Sequence, residues 1–360
     1  MNNKIRAFVV DDSGFVVASV TKKLVSDPAI EVVGSARDGK EAIEKIRALK
    51  PDVITLDVVM PVMDGLAVLE QLMTWQPTPV VMLSALTSEG AETTIKALEL
   101  GAVDFFLKPS LLRPTGNDEI GETLIEKVKR AATSKLKPYS PVVKPKVVAQ
   151  NKDTVPVKSA PLSSHKFPVI VIGSSTGGPR ALMQVIPNLP KDFPAAILMV
   201  QHMPPLFTKS LAERLSGASQ IKVMEAVNGS QIEPGQALLA PGSYHMVPVR
   251  GNRITLHQEP PVHGVRPAID VTMMAAVEVY RENIMGVVLT GMGSDGAIGA
   301  AQIKAAGGKV IVEDESTCAV YGMPQVIVKA GNADKVLPIH EIAAELIQIY
   351  CGNAQPALRS

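Results

Sequence analysis

Short apolar runs rich in β-branched residues recur along the chain, and polar residues with chemical capacity stand directly after them. In the first third such runs end at Val10, Asp57, Ser84 and Leu107. Further runs at 167–172, 195–200, 284–289 and 309–312 alternate with helix-like segments at 179–186, 207–215, 269–281 and 297–306. Strands that alternate with helices predict parallel sheets covered on both faces. The expected fold class is therefore α/β, with two doubly wound parallel-sheet domains.

What stands at the ends of the first runs points to phosphoryl chemistry. Asp11 and Asp12 follow the first run, Asp57 closes the run 51–57, Ser84 ends 80–83 and Lys108 follows 104–107. A parallel sheet gathers groups just beyond the carboxyl ends of its strands, so these positions converge on one crevice. Three crowded carboxylates repel one another, and a hard divalent cation relieves this; Mg²⁺ fits because it pairs with one or two carboxylates plus phosphate oxygens. In this reading Asp57 is the nucleophile that takes up a phosphoryl group, Asp11, Asp12 and Asp57 share Mg²⁺, Lys108 neutralises the transferring oxygens, and Ser84 hydrogen-bonds the new phosphoryl group.

Composition changes the picture only between the two halves. The chain of 360 residues is 46% hydrophobic with net charge +1, enough apolar material for two cores and no sign of a polyanion binder. Residues 131–165 carry five prolines and six lysines against the single acid Asp153, a stretch that builds no core and is expected to be a flexible linker, either a solvated spacer or a segment that docks on an acidic surface. Beyond it, 166–360 holds fifteen basic and fifteen acidic residues, with no basic stripe to suit a DNA-binding output. Cys318 and Cys351 lie far apart, which fits neither a zinc site nor a disulfide framework. No signal peptide or bilayer-length apolar stretch is visible, so a cytoplasmic protein is expected.

The second half holds a different chemistry. Gly173-Ser174-Ser175-Thr176-Gly177 matches G-x-S-x-G, the strand-to-helix elbow that presents a nucleophilic serine, and it lacks the lysine of a P-loop. The same turn can also bind phosphate through backbone amides. Of six histidines only His202 follows a core strand directly, while His257 and His263 lie in polar loop-like sequence and are poor candidates for the base. Asp295, after the run 284–289, supplies a carboxylate at the same sheet edge. The order Ser, His, Asp differs from that of α/β-hydrolases.

Two resemblances cover most of the chain. Residues 1–128, with Asp11, Asp12, Asp57, Ser84, Lys108 and Met60-Pro61-Val62-Met63-Asp64-Gly65, resemble a response-regulator receiver domain of the flavodoxin-like kind, and Phe105 resembles its aromatic switch position, with a plain core phenylalanine as the alternative. After the linker at 129–165, residues 166–352 resemble the Rossmann-like catalytic domain of the chemotaxis protein-glutamate methylesterase, followed by a tail at 353–360; the carrying segments are 173–178, Gln201-His202-Met203-Pro204-Pro205, Ala240-Pro241-Gly242 with His245-Met246, Arg266-Pro267 with Asp270, 289–296 and Tyr321-Gly322-Met323-Pro324. The resemblance implies Ser175 as nucleophile, His202 as base, Asp295 as orienting acid, and the Thr176 hydroxyl and Met292 N–H near the oxyanion. It also implies demethylation and deamidation of methyl-accepting chemotaxis receptors, with no cofactor for that step. Phosphorylation of Asp57 by a chemotaxis histidine kinase would relieve inhibition by the receiver. Where the family has alanine this chain has Ser174, which leaves two serines side by side. A receiver-controlled hydrolase acting on another acyl group is the rival reading, and an adaptor with an inactive catalytic domain is a third.

Overall fold

The computed structural model describes residues 4–108, 123–134 and 167–352. In the first part, β1 (Ile5–Val10), α1 (Gly14–Val25), β2 (Ile30–Ala36), α2 (Gly39–Leu49), β3 (Val53–Asp57), α3 (Gly65–Trp75), β4 (Val80–Ser84), α4 (Ser88–Leu100), β5 (Asp104–Leu107) and α5 (Leu124–Thr133) alternate strictly. The strands form one parallel five-stranded sheet in the order β2-β1-β3-β4-β5. Local chemistry starts the helices: Ser13, Asp38, Asp64 and Thr87 cap α1 to α4 through their side chains, and Thr123 with Glu126 makes a capping box on α5. The α5 helix runs on to Thr133, past the expected domain boundary at residue 128.

The second part contains β6 (Val169–Ser174), α6 (Gly178–Val185), β7 (Ala196–Gln201), α7 (Phe207–Ala218), β8 (Lys222–Glu225), β9 (Gln236–Leu239), the hairpin β10 (His245–Val249) and β11 (Arg253–His257), then α8 (Ile269–Tyr280), β12 (Ile284–Val288), α9 (Ala297–Ala305), β13 (Lys309–Glu313), α10 (Met323–Lys329), β14 (Lys335–Leu337) and α11 (Ile339–Cys351). Seven of these strands make a parallel sheet in the order β14-β13-β12-β6-β7-β9-β8. The order reverses at β6, whose neighbours β7 and β12 come from opposite directions along the chain, and such a switch point opens a crevice at the carboxyl ends.

Alternate residues of each central strand feed opposite faces. Phe8, Ile54, Leu56 and Met82 enter one core, while Ala7, Val9, Val53 and Val81 enter the other. In the second sheet Ile170, Ile172 and Met199 face one way and Val169, Val171 and Leu198 the other. Both faces are apolar, which is why the strands read as continuous hydrophobic runs. The first of these cores is continuous between the two sheets: Leu98 and Phe105 of the first part belong to the same buried cluster as Phe207 and Leu211 of the second. The segments 129–165 and 353–360 lie almost wholly outside the described residues. No helix of the described residues is long and apolar enough to cross a membrane.

Candidate active site and its covering face

The structure places the residues expected for phosphoryl chemistry at one edge of the first sheet. Asp11 stands just past β1, Asp57 ends β3, Ser84 ends β4 and Lys108 follows β5. The ammonium of Lys108 lies 2.9 Å from Asp11 Oδ2 and 2.7 Å from Asp57 Oδ1. Asp11, Asp12 and Asp57 offer carboxylate oxygens within 4.8 Å of one another, and Asp57 Oδ2 is buried with no hydrogen-bond partner. Burial, reinforced by the charge of Asp11 and opposed by the Lys108 hydrogen bond, pushes Asp57 up to about 6. Burial pulls the Lys108 ammonium down, but its bonds to Asp11 and Asp57 outweigh this and hold it above its ordinary value. An orphaned buried oxygen among crowded carboxylates is what a hard cation with oxygen ligands would satisfy. Ser84 is buried, its hydroxyl against the Ala85 and Gly90 carbonyls and accepting from Thr94 Oγ1.

The second site sits at the switch point of the larger sheet. Ser175 follows β6, His202 follows β7 and Asp295 lies in the turn after β12, so adjacent strands deliver all three to one edge. Two glycines permit the elbow. Gly177 takes φ 80° at the start of α6, and a Cβ on Gly291 would lie 2.7 Å from Ser175 Cβ. His202 Nε2 is 2.8 Å from Asp295 Oδ2. Asp295 is buried and also accepts from the backbone amides of Ile269 (2.7 Å), Asp270 (2.9 Å) and Gly296 (3.0 Å). Burial pushes this carboxyl up, but the His202 hydrogen bond and the α8 amides outweigh it and hold the group below the usual carboxylate range. It therefore stays ionised and anchors the imidazole through Nε2, leaving Nδ1 outside this contact. Among the described residues the Ser175 hydroxyl makes no hydrogen bond to His202.

The neighbouring serine plays another part. Ser174 is fully buried and donates to Gln201 Oε1 at 2.7 Å, while Gln201 Nε2 donates to the carbonyls of Ser175 (2.9 Å) and His202 (3.1 Å). This side-chain clamp ties the two elbows together. Gln201 stands in one of the segments that carry the family resemblance, but its clamping role is not read from the sequence, although a buried polar residue closing an apolar strand is the signal that marks it.

The first sheet's β5 and α5 lie over this edge. Asp104 Oδ2 accepts from the Thr176 hydroxyl at 3.0 Å, Arg130 Nη1 donates to the same oxygen of Thr176 at 2.7 Å, and Lys127 reaches Asp104 Oδ1 at 2.8 Å. Arg130 also touches Met292 through Nε. Phe105 stacks on Phe207 of α7 with ring centroids 4.5 Å apart and planes 11° from parallel. Arg214 of α7 makes a two-pronged pair with Glu99 of α4, at 2.7 and 2.8 Å. Between the two sheets remains a cavity of about 470 Å³ lined by Ser175, His202 and Asp295 on one side and Phe105 and Lys127 on the other.

Comparison with known proteins covers both halves of the chain. Residues 7–113 match the response regulator receiver domain and residues 170–346 the CheB methylesterase family. A protein-glutamate methylesterase/protein-glutamine glutaminase of Symbiobacterium thermophilum is 50% identical over 354 residues, 94% of this chain and 95% of the relative. Its counterpart in Thermotoga maritima is 44% identical over 348 residues, 96% and 98% of the two chains. The crystal structure of the Thermotoga maritima CheB methylesterase catalytic domain superposes with a TM-score of 0.50 at 47% identity, covering 51% of this chain and all of that one. An elbow serine, a histidine held by an ionised aspartate and a receiver carrying an acidic pocket thus come with matching relatives along nearly the whole length, and the chain belongs to the CheB methylesterase family, in the form that carries a response regulator receiver domain ahead of the catalytic domain.

Proposed function

We propose that the protein hydrolyses glutamate γ-methyl esters, and deamidates glutamines, on chemotaxis receptors, and that phosphorylation of Asp57 releases this activity. The observation that carries the catalytic half is the His202–Asp295 pair at 2.8 Å, set beside the Ser175 elbow at the carboxyl ends of adjacent strands. His202, oriented through Nε2, takes the Ser175 proton as Oγ adds to the ester carbonyl. The oxyanion that forms calls for donors, with the Thr176 hydroxyl and the Met292 N–H in reach of that role. Methanol leaves with the proton from His202, and water then cleaves the acyl-enzyme by the same route. Assay of methyl-labelled receptor with and without a small phosphodonor tests this reading: methanol release that rises with phosphodonor supports it, and no release under either condition overturns it.

Regulation rests on the covering face. The single proton of the Thr176 hydroxyl is given to Asp104, so in the closed arrangement it is not available to an oxyanion. Phe105, at the aromatic switch position, is packed on the catalytic domain, which gives a change at Asp57 a direct mechanical route to the cover. Closed and open arrangements then form a two-state element that phosphorylation biases. The phosphodonor is proposed to be the chemotaxis histidine kinase.

Mg²⁺ fits the receiver pocket, where Asp11, Asp12 and Asp57 would hold it; when bound it neutralises charge on phosphoryl oxygens, while Lys108 supplies the second positive group. Phosphodonor-dependent labelling should therefore need Mg²⁺ or Mn²⁺ and vanish in Asp57→Ala. Labelling that persists in chelator would count against the site.

A pH prediction follows from Asp57. Its folded value of about 6 lies above the ordinary 3.8, so between about pH 4 and 6 the folded state keeps a proton that the unfolded chain has released. Stability contributed by that proton is complete below about pH 4 and lost as pH rises through 6. Without divalent cation, Asp57→Asn should therefore stabilise the receiver by about 1–3 kcal/mol at pH 7 and by little at pH 4. Thermal unfolding across this range in chelator, repeated with Mg²⁺ to shrink the difference, is the check.

A further inference from the structure

A second histidine–aspartate pair stands beside the first. Val262 and Val265 exchange backbone hydrogen bonds of 3.2 and 3.0 Å, and between them His263 and Gly264 take φ of 54° and 75°. Two central residues with positive φ make a type I′ turn, and histidine is among the few non-glycine residues enriched there. The turn holds the His263 ring against Asp270, with Nε2 3.0 Å from Oδ2. Asp270 is buried in the first turn of α8; its other oxygen accepts from Gly299 N at 2.7 Å, and its own amide donates to Asp295 Oδ1 at 2.9 Å. A ring nitrogen of His263 and carboxylate oxygens of Asp270 and Asp295 lie within 4.8 Å of one another. The side chain is 34% exposed and lines the same cavity as Ser175 and His202. Its remaining nitrogen, Nδ1, has no hydrogen-bond partner among the described residues. Local sequence marks His263 as part of a polar loop, and the fold brings it to the cavity that Ser175 and His202 line.

We propose that His263, oriented by Asp270, is a specificity-determining residue that favours glutamine amides over glutamate methyl esters. This rests on the hydrolase reading above. In the tautomer that carries its proton on Nε2 against the carboxylate, the ring leaves Nδ1 as an acceptor. The two substrates differ at one group. An ester's methoxy oxygen has only lone pairs, whereas an amide's NH₂ carries N–H donors that lose water on entering the cavity and need an acceptor. In the amide reaction Ser175 Oγ bonds to the carbonyl carbon and its proton passes to His202. The C–N bond then breaks and ammonia leaves with that proton. Throughout, His263 accepts a hydrogen bond from the amide nitrogen and transfers nothing. A site built to satisfy such a donor discriminates against the analogue that lacks it.

The test uses the full chain activated by a small phosphodonor, with ammonia and methanol release measured on receptor substrates carrying glutamine or methylated glutamate. His263→Gly removes the ring and leaves residues that suit the turn; Asp270→Asn keeps the volume but loses the group that orients the ring. In both variants the ratio of amide to ester kcat/KM should fall about tenfold, the worth of roughly 1.4 kcal/mol of hydrogen bonding in the transition state. A purely structural role would lower both activities together, and an unchanged ratio in His263→Gly overturns the inference. If the activated wild type releases neither methanol nor ammonia, the hydrolase reading itself falls and takes this inference with it.

Discussion

Ser175→Ala is expected to lower methyl-ester hydrolysis by about 10⁴-fold or more, whereas Ser174→Ala should retain activity within about tenfold. The two hydroxyls are neighbours in sequence but not in environment. Ser175 is half-buried, follows the strand and lines the cavity with His202, while Ser174 is fully buried and committed to Gln201. Removing the Ser174 hydroxyl leaves Gln201 Oε1 without its donor, a loss of about 1–3 kcal/mol that should appear in thermal stability more than in rate. His202→Ala should be nearly as damaging as Ser175→Ala, because nucleophile and base act as one unit. The reverse ranking of the two serine variants, measured by methanol release from labelled receptor, would overturn the assignment of the nucleophile.

The second large effect concerns the cover. Arg130→Ala should raise the activity of unphosphorylated protein about 5- to 100-fold, the range of typical coupling free energies of 1–3 kcal/mol. Arg130 is 5% exposed, donates to Thr176 and lies 3.6 Å from Asp104. Removing it leaves the Asp104 carboxylate in a buried interface with less positive charge, which favours separation of the faces. The Arg214–Glu99 pair should matter less, since its arginine is exposed and solvent screens it. Asp57→Ala should stay at the low basal rate with phosphodonor, and combining it with Arg130→Ala should restore activity. A fragment beginning near residue 160 should match or exceed Arg130→Ala. Were that fragment no faster than the unphosphorylated full chain, occlusion would be ruled out, and phosphorylation would have to act on catalytic geometry or receptor docking.

Both central sheets were legible because each strand is apolar on two faces, and the residues beyond Val10, Asp57, Val200 and Val288 were legible because parallel strands place chemistry at their ends. The weaker elements were not. The strands β8, β9 and β14 are three or four residues long, and the β10–β11 hairpin stands apart from the main sheet, so a short alternation is all that marks them. The register of the turn favours Ser175 over Ser174 in the sequence, and the fold adds that the Ser174 hydroxyl is buried against Gln201.

By itself the sequence determined the two α/β domains, the acidic pocket around Asp57 and the line of Ser175, His202 and Asp295, because these depend on strand ends and on residue types that only a few chemistries use. Only the tertiary structure decided which groups share a neighbour from distant segments. Asp104 and Arg130 reach Thr176 across the two sheets, Gln201 ties two elbows, and His263 enters the cavity through a turn that local sequence marks as a polar loop. The physical reason is that a side chain's role at such places is set by the partner it meets, and those meetings are fixed by the docking of whole sheets and helices rather than by any periodicity along the chain.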